Sequence, residues 1–144
     1  MSGYESFQVS QQASEQLLVL TDPQGQITYA SDGFCQLVGY NEAKLKEQSF
    51  EKLRHPDMPK GPLNDLWKTL GRHESWMGMI RNRTADGKDL WLDAFVTPIA
   101  DNSGNIIEYQ AIYRRPSPLT IQRTQNVDHA RGRGKRARLC SGGR

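Results

Sequence analysis

The chain has 144 residues, enough for one domain with a real core and too few for two. Its formal net charge of +3 is unevenly placed: Arg123 to Arg144 holds seven basic residues against one acid, Asp128, while the first 122 residues hold 12 basic and 15 acidic groups. A mildly acidic body excludes a basic nucleic-acid patch on the folding part, the two cysteines, Cys35 and Cys140, exclude a disulfide framework and CxxC metal chemistry, and no run reaches the roughly 18 to 20 apolar residues of a membrane span.

The polar start MSGYESFQVSQQASEQ lacks the basic and apolar parts of a signal peptide, so the chain reads as cytoplasmic. LLVLTD (Leu17 to Asp22) and QITYA (Gln26 to Ala30) flank the turn-rich DPQG and predict a hairpin. Ser31 can cap a helix carrying Phe34, Leu37 and Val38 that Gly39 ends, and Asn41 can cap a further short turn through Leu45. Leu63, Leu66, Trp67 and Leu70 recur at helical spacing and predict a longer helix, stopped by Gly71. Pro59 and Pro62 leave its first turn open.

Three strands follow, Trp76 to Thr84, Leu90 to Ile99 and Ile106 to Tyr113, separated by turn chemistry at Asp86-Gly87 and DNSGN. The expected fold is α+β: a five-stranded antiparallel sheet, with several short helices and one longer helix between strands two and three covering one face. The expected division is an N-terminal cap segment over 1–15, a domain over 16–116, and a basic tail over 117–144. Rich in Gly and Arg, the end of that tail is expected to be disordered and to add nothing to the core.

The residues with chemical promise sit between Arg54 and Asn82. Arg54 and His55 precede Pro56, which biases His55 towards an extended backbone on a loop that can present cations to a diphosphate. The plainer alternative is a solvated loop whose Asp57 caps the next helix. Trp76, Gly78, Ile80 and Asn82 alternate onto one strand face. An aromatic wall, a bare backbone patch and an amide together suit a flat small-molecule slot, although Asn82 could instead bond a neighbouring turn. Trp67 on the helix stripe is either core or a wall of that slot. A two-residue turn at Asp86-Gly87 sets Trp91 opposite Asn82, and one more turn residue sets Leu92 there. His55, His73 and His129 have no nucleophile or acid at a telling spacing, so no enzyme is expected.

The phrases TDPQGQITYASDGFCQLVGY, RHPDMP, DLWKTL and WMGMIRNRTADGKDLWLDAFVTPI resemble a PAS domain over about residues 15 to 115. They are most similar to the flavin-binding PAS domains of bacterial aerotaxis receptors. The resemblance implies a cytoplasmic redox and oxygen sensor that holds FAD non-covalently and relays its state to a chemoreceptor signalling module controlling a histidine kinase. A homodimer or PAS–PAS contact is also implied. By the same resemblance Arg54, His55 and Asp57 serve FAD, Trp67 and Trp76 line its ring, Asn82 faces its pyrimidine edge, and Leu92 lies inside. Gln110 matches a position where light-sensing relatives carry glutamine. RHPD stands where those relatives place their adduct-forming cysteine, which leaves Cys35 as a small buried apolar residue. The alternative within the fold is a ligand-binding or dimerisation module with haem, another small ligand or no cofactor.

Overall fold

The computed structural model describes residues 16–140. The cap segment expected over 1–15 lies outside the described residues. Strands β1 (Leu17–Thr21) and β2 (Ile27–Ala30) lead into helices α1 (Asp32–Val38) and α2 (Glu42–Lys46), a 3-10 turn (Phe50–Leu53) and α3 (Lys60–Gly71). Then come β3 (Trp76–Arg83), β4 (Asp89–Ala100), β5 (Ile106–Arg114) and a last helix α4 (Pro118–Cys140).

The local signals act as their chemistry requires. Ser31 accepts the Phe34 N–H at the start of α1, Gly39 closes it at φ 84°, and Asn41 accepts the Lys44 N–H at the start of α2. Pro59 caps α3 and Pro62 falls in its first turn, where a missing N–H breaks no helical bond. Gly71 does not stop α3. It is the last helical residue, and His73 takes the left-handed conformation at φ 62° instead.

The five strands form one antiparallel sheet in the order β2-β1-β5-β4-β3, so β1 and β5 meet at the centre and β3 is an edge. Val19, Ala111 and Val96 oppose one another across three strands on the inner face, where Phe34, Leu45, Leu66, Leu70, Ile80 and Leu92 complete the core. Phe34 stacks on Tyr113 at 5.4 Å between centroids. On the outer face Met77, Phe95, Ile112 and Leu18 stand directly opposite one another in a row across four strands.

The β3–β4 turn takes neither predicted register. Arg83 pairs with Asp89 and Asn82 with Leu90, so three residues, Ala85 to Gly87, make the turn and Gly87 closes it at φ 84°. The slip relative to the two-residue turn is one residue, which still brings Leu92 inside, opposite Ile80.

Of the tail expected over 117–144, Pro118–Cys140 form a helix, α4, and the last four residues lie outside the described ones. Ser117 accepts the Thr120 N–H at 3.1 Å and Pro118 stands in the first helical position, a start signal that the reading for apolar periodicity passed over. Arg, Gln, Lys, Ala and Leu then sustain it, being good helix formers whatever their polarity.

Candidate functional site

The RHPDMP segment is stitched to the edge strand. Arg54 forms an isolated antiparallel bridge with Asn82, and the His55 N–H donates to the Arg81 carbonyl at 2.9 Å. Strand alternation then divides the motif. Arg54 turns inward: burial pushes its guanidinium down from its ordinary value, while Tyr113 and Glu51 act in the opposite direction. Tyr113, on the inner face of β5, has its phenol pushed up by burial. His55 turns outward, its Nε2 3.1 Å from Asp89 Oδ1 and its Nδ1 accepting the Asp57 N–H. Asp57 is exposed, and α3 has no side-chain cap, so Asp57 does not cap it.

Asp89 is the hub of the outward group. Arg81 grips it through Nε at 3.1 Å and Nη2 at 2.9 Å, and this hydrogen bonding holds the Asp89 carboxyl below its ordinary value. Arg81 also lies over the Trp91 ring, 5.6 Å from its centroid. Trp91 faces outward, yet it is only 7% exposed because the hollow above it is walled by Gln125, Asp128 and His129 of α4. Arg54, His55 and Asp57 therefore do not converge on one ligand group.

On the inner side the predicted residues do gather. Asn82 is 4% exposed and its carboxamide makes no side-chain hydrogen bond among the described residues. Leu92 is fully buried two strand positions from it, beside Ile80. Trp67 meets Tyr109 edge-on at 5.9 Å, and both line a small enclosed cavity with Thr21, Leu70, Val96 and Ala111. Trp76 is buried and donates its indole N–H to Asp65 Oδ2 at 3.0 Å, joining β3 to α3.

Gln110 does not belong with them. It pairs with Leu20 and Thr97 on the outer face and bonds Glu108, because the inner phase of β5 is set by Ala111 between Val19 and Val96. Asp65, Tyr109, Tyr113, Arg81 and Asp89 are the residues that sequence reasoning missed. Tyr109 and Tyr113 carried a signal, an i, i+4 aromatic pair on one strand face. Cys35 is half-buried in α1 with its Sγ 3.9 Å from the Ala30 carbonyl, and burial pushes its thiol up.

The donors suit a flavin in kind. A buried carboxamide offers donors and an acceptor to a pyrimidine edge, with an arginine beside it. The space does not yet suit it. The enclosed cavity between helices and sheet measures about 10 Å³, where a small-molecule site takes roughly 300 Å³ or more. The predicted pocket is closed by the chain's own side chains: Trp76 lies over Gly78, and Trp67 leans on Tyr109. A groove of about 590 Å³ lies outside, lined by Met58, Pro62, Trp76 and Met77 and on its far side by Arg123 and Val127 of α4.

Comparison with known proteins agrees with this architecture. The chain is 35% identical to the aerotaxis receptor of Escherichia coli K12 over 119 residues, 83% of this chain and 23% of the receptor. It is 32% identical to the nitrogen fixation regulatory protein of Klebsiella pneumoniae over 108 residues, 75% of this chain and 22% of that protein. The chain thus spans under a quarter of the length of these curated relatives. In structure it is similar to a light-oxygen-voltage domain studied with a flavin analogue, at TM-score 0.72 and 24% identity, over 88% of this chain and 96% of that one. The dark-state light-oxygen-voltage domain of the blue-light photoreceptor Aureochrome1 superposes at TM-score 0.71 and 24% identity, over 85% and 94% of the two chains. A model of the PAS fold matches residues 27–113, from β2 to the end of the inner face of β5, and the chain belongs to the PAS family.

Proposed function

We propose that this PAS domain is a flavin sensor, holding FAD non-covalently against the inner sheet face and passing its redox state to a chemotaxis-type signalling module and its histidine kinase in the cytoplasm. The observation that carries the reading is Asn82, a polar side chain 4% exposed on the inner face of β3 and bridged through its backbone to Arg54. Similarity to an aerotaxis receptor at 35% identity supports the same reading.

A flavin supplies reversible electron transfer with an accompanying change in what its ring edge donates and accepts. The chain's own residues do the rest. Asn82 orients the edge, Arg54 holds positive charge nearby, Trp67 and Trp76 shield the ring from water, and Leu92 packs under it. A signal arises only where the two redox states differ in their interaction with two protein conformations; tight binding alone shifts nothing. The outer row of Met77, Phe95 and Ile112, which are 67%, 41% and 40% exposed, supports a PAS–PAS contact as the surface that carries the change.

The closed interior favours a second reading, a PAS interaction module without a cofactor. The absorption spectrum of the purified chain separates the two. A two-banded flavin spectrum in the blue that dithionite bleaches, with FAD released on denaturation, supports the sensor. A colourless folded protein that takes up no added FAD supports the module, and a Soret band means haem.

A further inference from the structure

We propose that the free edge of β3 at Met77 and Met79 is a docking site for an extended segment of a partner protein, which adds to the sheet as a further strand. Whether the interior holds a flavin does not enter. The site lies outside the core, between β3, the start of α3 and α4.

Arg81 shows which residues of β3 face the edge. Its carbonyl accepts the His55 N–H at 2.9 Å and its own N–H meets Met58 Sδ at 3.3 Å, so both backbone groups point away from β4. In an antiparallel strand that direction recurs at every second residue, which turns the N–H and C=O of Met79 and Met77 the same way. The RHPDMP segment already lies along this edge one step further on, where Arg54 bridges Asn82 in antiparallel sense. It covers the edge only as far as Arg81. Among the described residues nothing bonds the edge-facing backbone groups of Met77 and Met79.

Proteins normally blunt an open edge with a proline, a charge or a bulge. Met77 to Ile80 supply neither proline nor charge, and β3 runs in unbroken register with β4 from Trp76 to Arg83. The edge is instead recessed in the groove of about 590 Å³, with Met58, Pro62 and Trp76 on one side and Thr124 and Val127 of α4 on the other. A second copy would bring its own α3 and α4 against the same walls, so sheet-to-sheet pairing is blocked while one extended chain fits. Every described strand is already paired within the sheet, so that chain comes from elsewhere. Its main chain would bond Met77 and Met79, and its side chains would alternate between the Trp76 wall and the Val127 wall, both of which favour apolar residues. Methionines at the contact tolerate varied shapes. The charged groups of the groove, Asp65, Asp128 and Arg123, carry one acid in excess and favour a segment without acidic residues.

The test is amide hydrogen exchange of the full chain, read by NMR, with the probe peptide acetyl-Lys-Val-Leu-Val-Thr-Lys-amide. Without peptide, Met77 and Met79 are expected to exchange at least about tenfold faster than Gly78 and Ile80, whose amides bond β4; saturating peptide is expected to slow both at least about tenfold. Met77→Pro removes one edge-facing N–H and spares the β4 ladder, and is expected to weaken the peptide about fivefold, the equivalent of one hydrogen bond. No slowing, or equal slowing by the same peptide N-methylated throughout, overturns the proposal, as does undiminished binding to a folded Met77→Pro chain. Where that variant does not fold, the N-methylated peptide decides. Protection of Met77 and Met79 in the peptide-free chain also overturns it: protection that rises with protein concentration assigns the edge to a second copy, and protection lost on deleting residues 1–15 assigns it to the chain's own N-terminal segment.

Discussion

The indole of Trp76 fills the space in front of Gly78: a Cβ on Gly78 would stand 2.5 Å from Cη2 and 2.6 Å from Cζ2 of that ring. Real carbon pairs do not approach so closely, so the glycine is required by its own neighbour two residues back. The planar ring that the bare backbone admits is the chain's own.

Gly78→Ala should therefore destabilise the domain by about 1 to 3 kcal/mol, the usual cost of overpacking. Adding the same change to Trp76→Leu should cost clearly less, because the ring it strikes is gone. Urea unfolding of the four proteins measures the coupling. Equal costs in both backgrounds would place the strain elsewhere.

Asn82→Leu separates stability from binding. Replacing the carboxamide by a side chain of similar volume should change stability by no more than about 1 kcal/mol, while the flavin retained through purification falls towards zero. Urea midpoints and flavin-to-protein absorbance ratios on one preparation report both. A destabilised variant that keeps its flavin contradicts the role given to Asn82.

Gln110→Ala is the matched control. Its side chain lies on the outer face beside Glu108, so stability should change by less than about 0.5 kcal/mol and flavin content should not change. Loss of flavin in this variant would mean that β5 is turned over relative to the register described.

Asp89 gives a pH dependence with a definite sign. Its folded-state pKa is held below the ordinary 3.8, first by the Arg81 hydrogen bond and further by the charges of Arg81 and His55, with burial opposing. A depressed carboxyl contributes stability that is present above its unfolded value and is lost as pH falls through its folded one. The advantage of the native chain over Asp89→Asn in urea should hold from neutral pH down to about pH 4 and shrink below it. A difference independent of pH across that window would show that the Arg81 clamp does not act on the ionised form.

The elements were legible because their signals are short-range. Ser31, Gly39, Asn41 and the Asp86-Gly87 turn act on backbone groups within a few residues, and the apolar spacing of Leu66 and Leu70 needs only helical geometry. Trp76, Gly78, Ile80 and Asn82 share a face because alternation along one strand is fixed. The last helix was missed although Ser117 and Pro118 announce its start, since a helix with no apolar stripe looks like solvated chain when periodicity is the guide. His73 in place of Gly71 as the left-handed residue is a slip of the same local kind, two residues along the chain.

The sequence by itself determined the order of elements as far as β5, the sheet they make, and which residues along each strand keep company. Only the tertiary structure decided which way those residues look. Arg54 and His55 are neighbours that part because one bridge to Asn82 fixes the phase of their segment against β3. Gln110 turns away because Ala111 is held between Val19 and Val96. Asp65 matters because packing brings α3 over β3. Phase within an element follows from local bonding, but the choice of face is made by partners far off in the chain, and one hydrogen-bonded pair sets it for every residue that follows.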